Sequence, residues 1–214
     1  MHHTQREPAA NVSIYVITPQ WSDTRRLLNA SDQALNNGVS LLQYRDKLRD
    51  FNAQLAVGRA LAQLCRQYAV PFIVNDNVEL AVQLEADGVH LGQHDGAIES
   101  AINSGLERVG ISCYNQLSRA VEAAKSGATE VAFGSFYQSS TKPDAVTAKP
   151  SLLADFIGWR SDAISPRLVA IGGINADNAK PLALAGAEYL AVSGAIYAAD
   201  DVAAATRNLI NSVN

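Results

Sequence analysis

The chain has 214 residues, 48% of them hydrophobic and 18% charged, and carries a formal net charge of −4. This length and apolar content suit one α/β domain with a large core, and the acidic balance argues against general nucleic-acid binding, which needs a basic footprint. No stretch approaches the apolar length of a membrane span, and the start, Met1-His2-His3-Thr4-Gln5-Arg6-Glu7-Pro8, lacks the apolar centre of a signal peptide. The expectation is a cytoplasmic protein with a flexible tail at 1–11 and a domain at 12–214. Its partners would be small molecules rather than nucleic acid or membrane, and a homo-oligomer is compatible with this composition. Cys65 and Cys113 are the two cysteines. They form no Cys-x-x-Cys pair, which argues against zinc or a dithiol centre. Cys65 falls in a helical pattern and reads as core; Cys113 follows a strand and is a weak candidate for a catalytic thiol.

In chain order, short apolar runs alternate with amphipathic segments. Strands are expected at 13–18, 40–45, 71–76, 88–92, 108–113, 130–136, 167–173 and 189–194. Helices are expected at 23–37, 51–69, 77–85, 97–104, 115–126, 151–159, 175–185 and 200–212. The strands are apolar on both faces, as buried parallel strands are. Leu55, Leu61, Leu64 and Tyr68 fall on about one face of the second helix. Gly38, Gly88, Gly127 and Gly186 each stand between a helix and the next strand, where glycine accepts the left-handed conformation that closes a helix. Eight such units with right-handed crossovers close most simply into an α/β fold of the (β/α)8 TIM-barrel type, in one domain. A doubly wound open sheet is the alternative, but no Gly-x-Gly-x-x-Gly follows the first strand.

Polar clusters stand where these strands end, the place where parallel α/β enzymes build their sites. Arg45 and Lys47 follow strand two at a spacing that shares one side of an extended chain. Together they can hold a diphosphate, Arg as a planar fork and Lys as a point charge; exposed loop cations are the competing reading. Asp76 and Asp95 follow strands three and four and can share a Mg2+ ion, or cap the helices that come next. Asn75 sits at the same mouth. His90, inside strand four, suits a hydrogen-bonded structural role better than a proton shuttle.

Residues 135–150, after strand six, make a long polar connection read as a lid. Within it Ser139, Ser140, Thr141 and Lys142 offer three hydroxyls and a cation to an anion. Gly172-Gly173 ends strand seven and Ser193-Gly194 ends strand eight, where barrels often build a phosphate site from backbone N–H groups. Tight turns alone would also use these glycines. Two anion sites and one metal site on one mouth describe an enzyme that joins or splits two phosphorylated molecules, with diphosphate as one group.

The ordered set Tyr15-Val16-Ile17-Thr18, Gln43-Tyr44-Arg45-Asp46-Lys47, Ile73-Val74-Asn75-Asp76, the Ala86 to Asp95 segment with Gly88-Val89-His90-Leu91-Gly92, Gly110-Ile111-Ser112, Ser139-Ser140-Thr141-Lys142 and Ala170-Ile171-Gly172-Gly173-Ile174 resembles the thiamin-phosphate synthase, or thiamin-phosphate pyrophosphorylase, family. The resemblance covers the chain after its tail. It implies a (β/α)8 barrel that joins hydroxymethylpyrimidine diphosphate to hydroxyethylthiazole phosphate, through a pyrimidine cation and without a protein nucleophile. It implies that Gln43, Tyr44, Arg45, Asp46, Lys47, Asn75, Ser112 and Lys142 hold the pyrimidine diphosphate, with Arg45, Lys47, Ser112 and Lys142 closest to the chemistry. Asp76 and Asp95 would bind Mg2+. Ser139, Ser140, Thr141, Gly172, Gly173, Ser193 and Gly194 would hold the thiazole phosphate.

Three positions depart from the family pattern. Ser139 replaces a usual Thr, Gly194 stands where Ser is frequent, and Tyr114 stands where relatives commonly have His. Thiazole tautomerases of the same fold rely on that His and tend to lose the diphosphate cations, so the retained cations and Tyr114 favour the synthase. A non-catalytic sensor of phosphorylated ligands is the other alternative, and the metal carboxylates count against it.

Overall fold

The computed structural model describes residues 12–92, 98–138 and 147–214. The expected tail at 1–11 lies outside them. Eight strands, β1 (Ser13–Ile17), β2 (Leu41–Tyr44), β3 (Phe72–Asn75), β4 (Gly88–Leu91), β5 (Arg108–Tyr114), β6 (Glu130–Phe133), β7 (Arg167–Ile171) and β8 (Tyr189–Val192), pair in parallel in sequence order. β8 returns to β1, with Ser13 opposite Tyr189, and closes the barrel. The helices are α1 (Thr24–Asn36), α2 (Phe51–Gln67), α3 (Val78–Gln83), α4 (Ile98–Asn103), α5 (Leu117–Lys125), α6 (Ser151–Trp159), α7 (Lys180–Leu184), α8 (Gly194–Tyr197) and α9 (Val202–Val213). Among the described residues no helix is long and apolar enough to cross a membrane.

Short acidic and amide side chains start several helices. Asp23, Asp50, Asn77 and Asp201 each accept a backbone N–H three residues on, at 2.8–2.9 Å. Such caps satisfy donors that the first turn leaves over. Gly38, Gly127 and Gly186 adopt φ of +98°, +94° and +99°, as their junctions require. Gly88 does not serve this way. Glu85, at φ +50°, follows α3, and Gly88 already belongs to β4. There a Cβ would meet the Arg108 side chain at 2.5 Å, so close strand approach is what demands glycine.

The period-2 pleat makes two cores. Outward side chains such as Val16, Leu42, Val74 and Leu168 bury against the helices, where Leu27, Leu61 and Leu153 are at most 1% exposed. Truncating a leucine there would cost about 2–5 kcal/mol. Inward side chains Tyr15, Leu41, Ile73, Ala132, Val169, Tyr189 and Ala191 fill the barrel. Polar groups share that interior. Arg108 Nε pairs with Glu130 Oε1 at 3.0 Å, Arg108 Nη2 donates to the Tyr189 hydroxyl at 3.2 Å, and Thr129 Oγ1 donates to the other Glu130 oxygen. Two elements differ from expectation: α7 is only five residues, because 175–179 form a bonded turn, and α8 is an added single turn after β8.

Candidate active site

At the carboxyl end of β2 the pleat separates neighbours in sequence. Gln43 points inward, 2% exposed, and its Nε2 donates to the Tyr15 hydroxyl at 2.6 Å. Full burial pushes the Tyr15 pKa well above its ordinary value, so this hydroxyl stays protonated. The loop after β1 steadies the loop after β2. Thr18 Oγ1 accepts from the Arg45 N–H at 2.9 Å, and Gln20 Oε1 accepts from the Lys47 N–H at 3.1 Å. Among the described residues no hydrogen bond or ion pair commits the Arg45 guanidinium.

Lys47 Nζ lies 2.8 Å from Asp76 Oδ2. Asp76 sits just past β3 at φ +66°, and its N–H donates to the His90 carbonyl at 2.8 Å. The alternative reading of Asp76 as a helix cap is overturned: Asn77 caps α3, through its own side chain and the Leu80 N–H. That leaves the Asp76 carboxylate for the mouth. Asn75, Asp76 and Lys47 line one open cleft together with Tyr44 and Asp46, joined by Gln54, Asn77 and Leu80, which the sequence reading did not select.

Tyr44 and Asp46 line that cleft too, and their polar atoms are engaged within the protein. Tyr44 points to the helix layer, 2% exposed, with its ring stacked at 6.5 Å on Phe72. Its hydroxyl donates to Asp46 Oδ2 at 3.2 Å. Asp46 Oδ1 accepts from the Leu48 and Arg49 N–H groups at 2.9 and 3.1 Å, and Oδ2 pairs with the Arg49 guanidinium. Burial raises the Asp46 pKa, but these bonds outweigh it and hold the carboxyl below its ordinary value. Arg49 Nη2 also donates to the Trp21 and Ser22 carbonyls, both at 2.9 Å. The Asp46–Arg49 pair is therefore a clasp between the loops after β1 and β2, and both side chains are committed within the protein.

On the next two strands His90 Nε2 and Ser112 Oγ are 2.9 Å apart. Gly110 makes room for that ring, since a Cβ there would meet His90 Nδ1 at 2.6 Å. Arg119 Nε donates to the Ser112 carbonyl at 2.7 Å and Nη2 to the Gly92 carbonyl at 3.2 Å, tying two strand ends together. Cys113 points away from the mouth and is fully buried; burial pushes its thiol up to about 12, so it is no thiolate nucleophile near neutrality.

Across the mouth, Gly172 and Gly173 follow β7 at φ +104° and +63°. Ser193 and Gly194 follow β8 and open the single turn of α8. Barrels often place phosphate against these loops and a short added helix. Asp95, Ser139, Ser140, Thr141 and Lys142 lie outside the described residues, as does half of the expected lid.

Of the two carboxylates expected to hold Mg2+, Asp76 stands at this mouth and would serve as one ligand. Mg2+ takes one or two carboxylates and completes its shell with waters and substrate phosphates. The Asp76 carboxylate already faces a cation, the Lys47 ammonium, at 2.8 Å. Among the described residues no group of three or more His, Cys, Asp or Glu side chains could hold a metal, and a phosphate-assisted Mg2+ site does not need one.

Fold and mouth together define a class: a (β/α)8-barrel enzyme whose strand ends gather cations, a carboxylate and glycine turns. The model of the family described as thiamine monophosphate synthase matches residues 14–196, and the chain belongs to that family. A thiamine-phosphate synthase of Thiobacillus denitrificans is 47% identical over 198 residues, 92% of each chain. One of Janthinobacterium sp. (strain Marseille) is 40% identical over 200 residues, 92% of this chain and 95% of that one. Among solved structures, thiamine phosphate pyrophosphorylase from Pyrococcus furiosus superposes with a TM-score of 0.82 at 34% identity, covering 94% of this chain and 95% of that one. Orotidine 5′-phosphate decarboxylase from Pyrococcus horikoshii matches at TM-score 0.67 and 13% identity over 92% of this chain and 98% of that one, which shows a shared barrel alone.

Proposed function

We propose that the chain condenses hydroxymethylpyrimidine diphosphate with hydroxyethylthiazole phosphate to give thiamin phosphate and diphosphate. The observation that carries this reading is the gathering of Lys47, Asn75 and Asp76 around one cleft at the carboxyl ends of β2 and β3. Gln43, Asn75 and Ser112 orient the pyrimidine. Arg45, Lys47 and Lys142 face the diphosphate. Ser139, Ser140 and Thr141 with Gly172, Gly173, Ser193 and Gly194 hold the thiazole phosphate. Tyr44 and Asp46 act at one remove, by shaping the loop that carries Arg45 and Lys47.

The reaction breaks the CH2–O bond, and the electron pair leaves on the diphosphate oxygen. Cations fixed at that oxygen stabilise charge where it develops. A Mg2+ ion held by Asp76 and Asp95 would supply further positive charge there. The thiazole nitrogen then donates its lone pair to the pyrimidine CH2 cation and forms the C–N bond. The protein's part is to align the two substrates and keep water from the cation. A cytoplasmic setting fits the two buried thiols. Incubating the protein with both substrates and Mg2+ should release thiamin phosphate and diphosphate in equal amounts. Absence of thiamin phosphate at any metal concentration would rule the reading out.

A further inference from the structure

We propose that Asn178 is a positioning residue that aims the backbone N–H groups of the Gly172-Gly173 turn at the thiazole phosphate. The inference rests on the reading of that turn as the phosphate cradle. Asn178 Nδ2 donates to the Gly173 carbonyl at 2.9 Å, while its Oδ1 accepts from the Asn175 N–H at 2.8 Å. One amide side chain thus holds the turn to the segment that leads away from it. Asn178 is itself held, because the Tyr137 hydroxyl donates to its carbonyl at 2.8 Å.

The peptide unit converts these bonds into aim. In a planar trans peptide the N–H points opposite to the preceding C=O. The Gly172 carbonyl accepts from the Tyr137 N–H at 3.0 Å, on the β6 side. The Gly173 N–H therefore points the other way, toward β8, where Ser193 and Gly194 stand. No backbone acceptor meets it among the described residues. The Asn178 bond fixes the next peptide plane, and with it the Ile174 N–H. Both glycines lie at positive φ, and a Cβ on Gly173 would meet Tyr137 Cβ at 2.8 Å. The turn is thus held by the loop after β6 at the Gly172 carbonyl and by Asn178 at the Gly173 carbonyl, with the Gly173 N–H left facing β8.

Steady-state kinetics with both substrates test this on Asn178→Ala, Asn178→Asp and Tyr137→Phe. Losing one aiming hydrogen bond should raise KM for the thiazole phosphate on the order of tenfold in the two Asn178 variants. KM for the pyrimidine diphosphate should stay within about twofold, which a general loosening of the barrel would not produce. Tyr137→Phe, which deletes one hydroxyl, should shift the same constant in the same direction by less. A thiazole KM unchanged in all three variants, or both constants rising together, overturns the proposal. Inorganic phosphate as a competitor separates the two layers of the argument. If it fails to compete with thiazole phosphate in the parent enzyme, the cradle reading falls and the positioning role with it. If it competes equally well in parent and Asn178→Ala, only the positioning role falls.

Discussion

Lys47 and Asp76, carried by the loops after neighbouring strands, form an ion pair of 2.8 Å at the barrel mouth. The Lys47 side chain is 52% exposed, so water screens the pair and its own contribution to stability is small. Its importance is competition, because the ammonium occupies a carboxylate that the proposed chemistry gives to Mg2+. Lys47→Gln should tighten Mn2+ binding measured without substrate by roughly twofold to fivefold, the scale of an exposed pair. The same variant should turn over more slowly, for want of a cation at the diphosphate. Mn2+ affinity that is unchanged or weaker would show that lysine and metal do not share Asp76. Asp76→Ala should lose both activity and the Mg2+ dependence of the rate.

Gly110→Ala places a methyl group against the His90 ring, whose Nδ1 lies 2.6 Å from the new carbon. The ring must shift, and its 2.9 Å bond to Ser112 should lengthen or break. Overpacking of this kind costs about 1–3 kcal/mol, readable as a lower urea midpoint. KM for the pyrimidine diphosphate should rise while that for the thiazole phosphate holds. A variant with native kinetics would separate the His90–Ser112 contact from substrate binding.

Arg49→Met should be among the most destabilising single changes at the mouth. It strands the Asp46 carboxylate, 3% exposed, without its cation, and breaking such a pair costs about 3–5 kcal/mol. The pH dependence has a definite sign. The folded pKa of Asp46 lies below its ordinary value of about 3.9, so its stabilisation is present above that value and fades as pH falls through the folded one. Acid titrations of unfolding free energy should show this loss in the parent and a flatter curve in Arg49→Met. Parallel curves would mean that Asp46 draws its low pKa from the backbone bonds alone.

Cys65 and Cys113 bear on the alkaline side. Burial pushes both thiols up to about 12, against an ordinary value near 8.5. Their neutral form is the folded one, so the stabilisation is complete below about pH 8.5 and is lost as pH rises toward 12. Native protein at pH 8 should react with a disulfide reagent only as fast as it opens. Stoichiometric labelling within seconds would contradict that burial.

Lys142→Ala should slow a single turnover more than it weakens thiazole phosphate binding, since the cation is proposed to act on the leaving diphosphate. Equal single-turnover rates for variant and parent would remove Lys142 from the chemistry.

The barrel was legible in the sequence because eight apolar runs and eight amphipathic segments each carry their own period. Arg45, Lys47, Asn75 and Asp76 were legible because they stand where such runs stop. Tyr44 and Asp46 were not separable from them, since five consecutive polar and aromatic residues do not say which alternate members the pleat turns outward. Asp76 and Asn77 are two eligible caps in succession, and only the backbone decides that Asn77 takes the helix. α8 is one turn long, too short to show a period. Asn178 carries no motif, because its importance lies in two backbone partners that a sequence does not display.

The pair of Arg108 and Glu130 inside the barrel ties the histories of two positions together. Replacing Arg108 alone strands the buried Glu130 carboxylate, at a cost of several kcal/mol, and replacing Glu130 alone leaves the half-buried Arg108 unpaired, whereas replacing both by apolar residues of similar size can be nearly neutral. Drift at these sites must therefore pass through coordinated exchange. In a collection of relatives the two columns should change as one, with arginine and glutamate kept together or lost together, even though neither residue stands at the mouth where substrates meet.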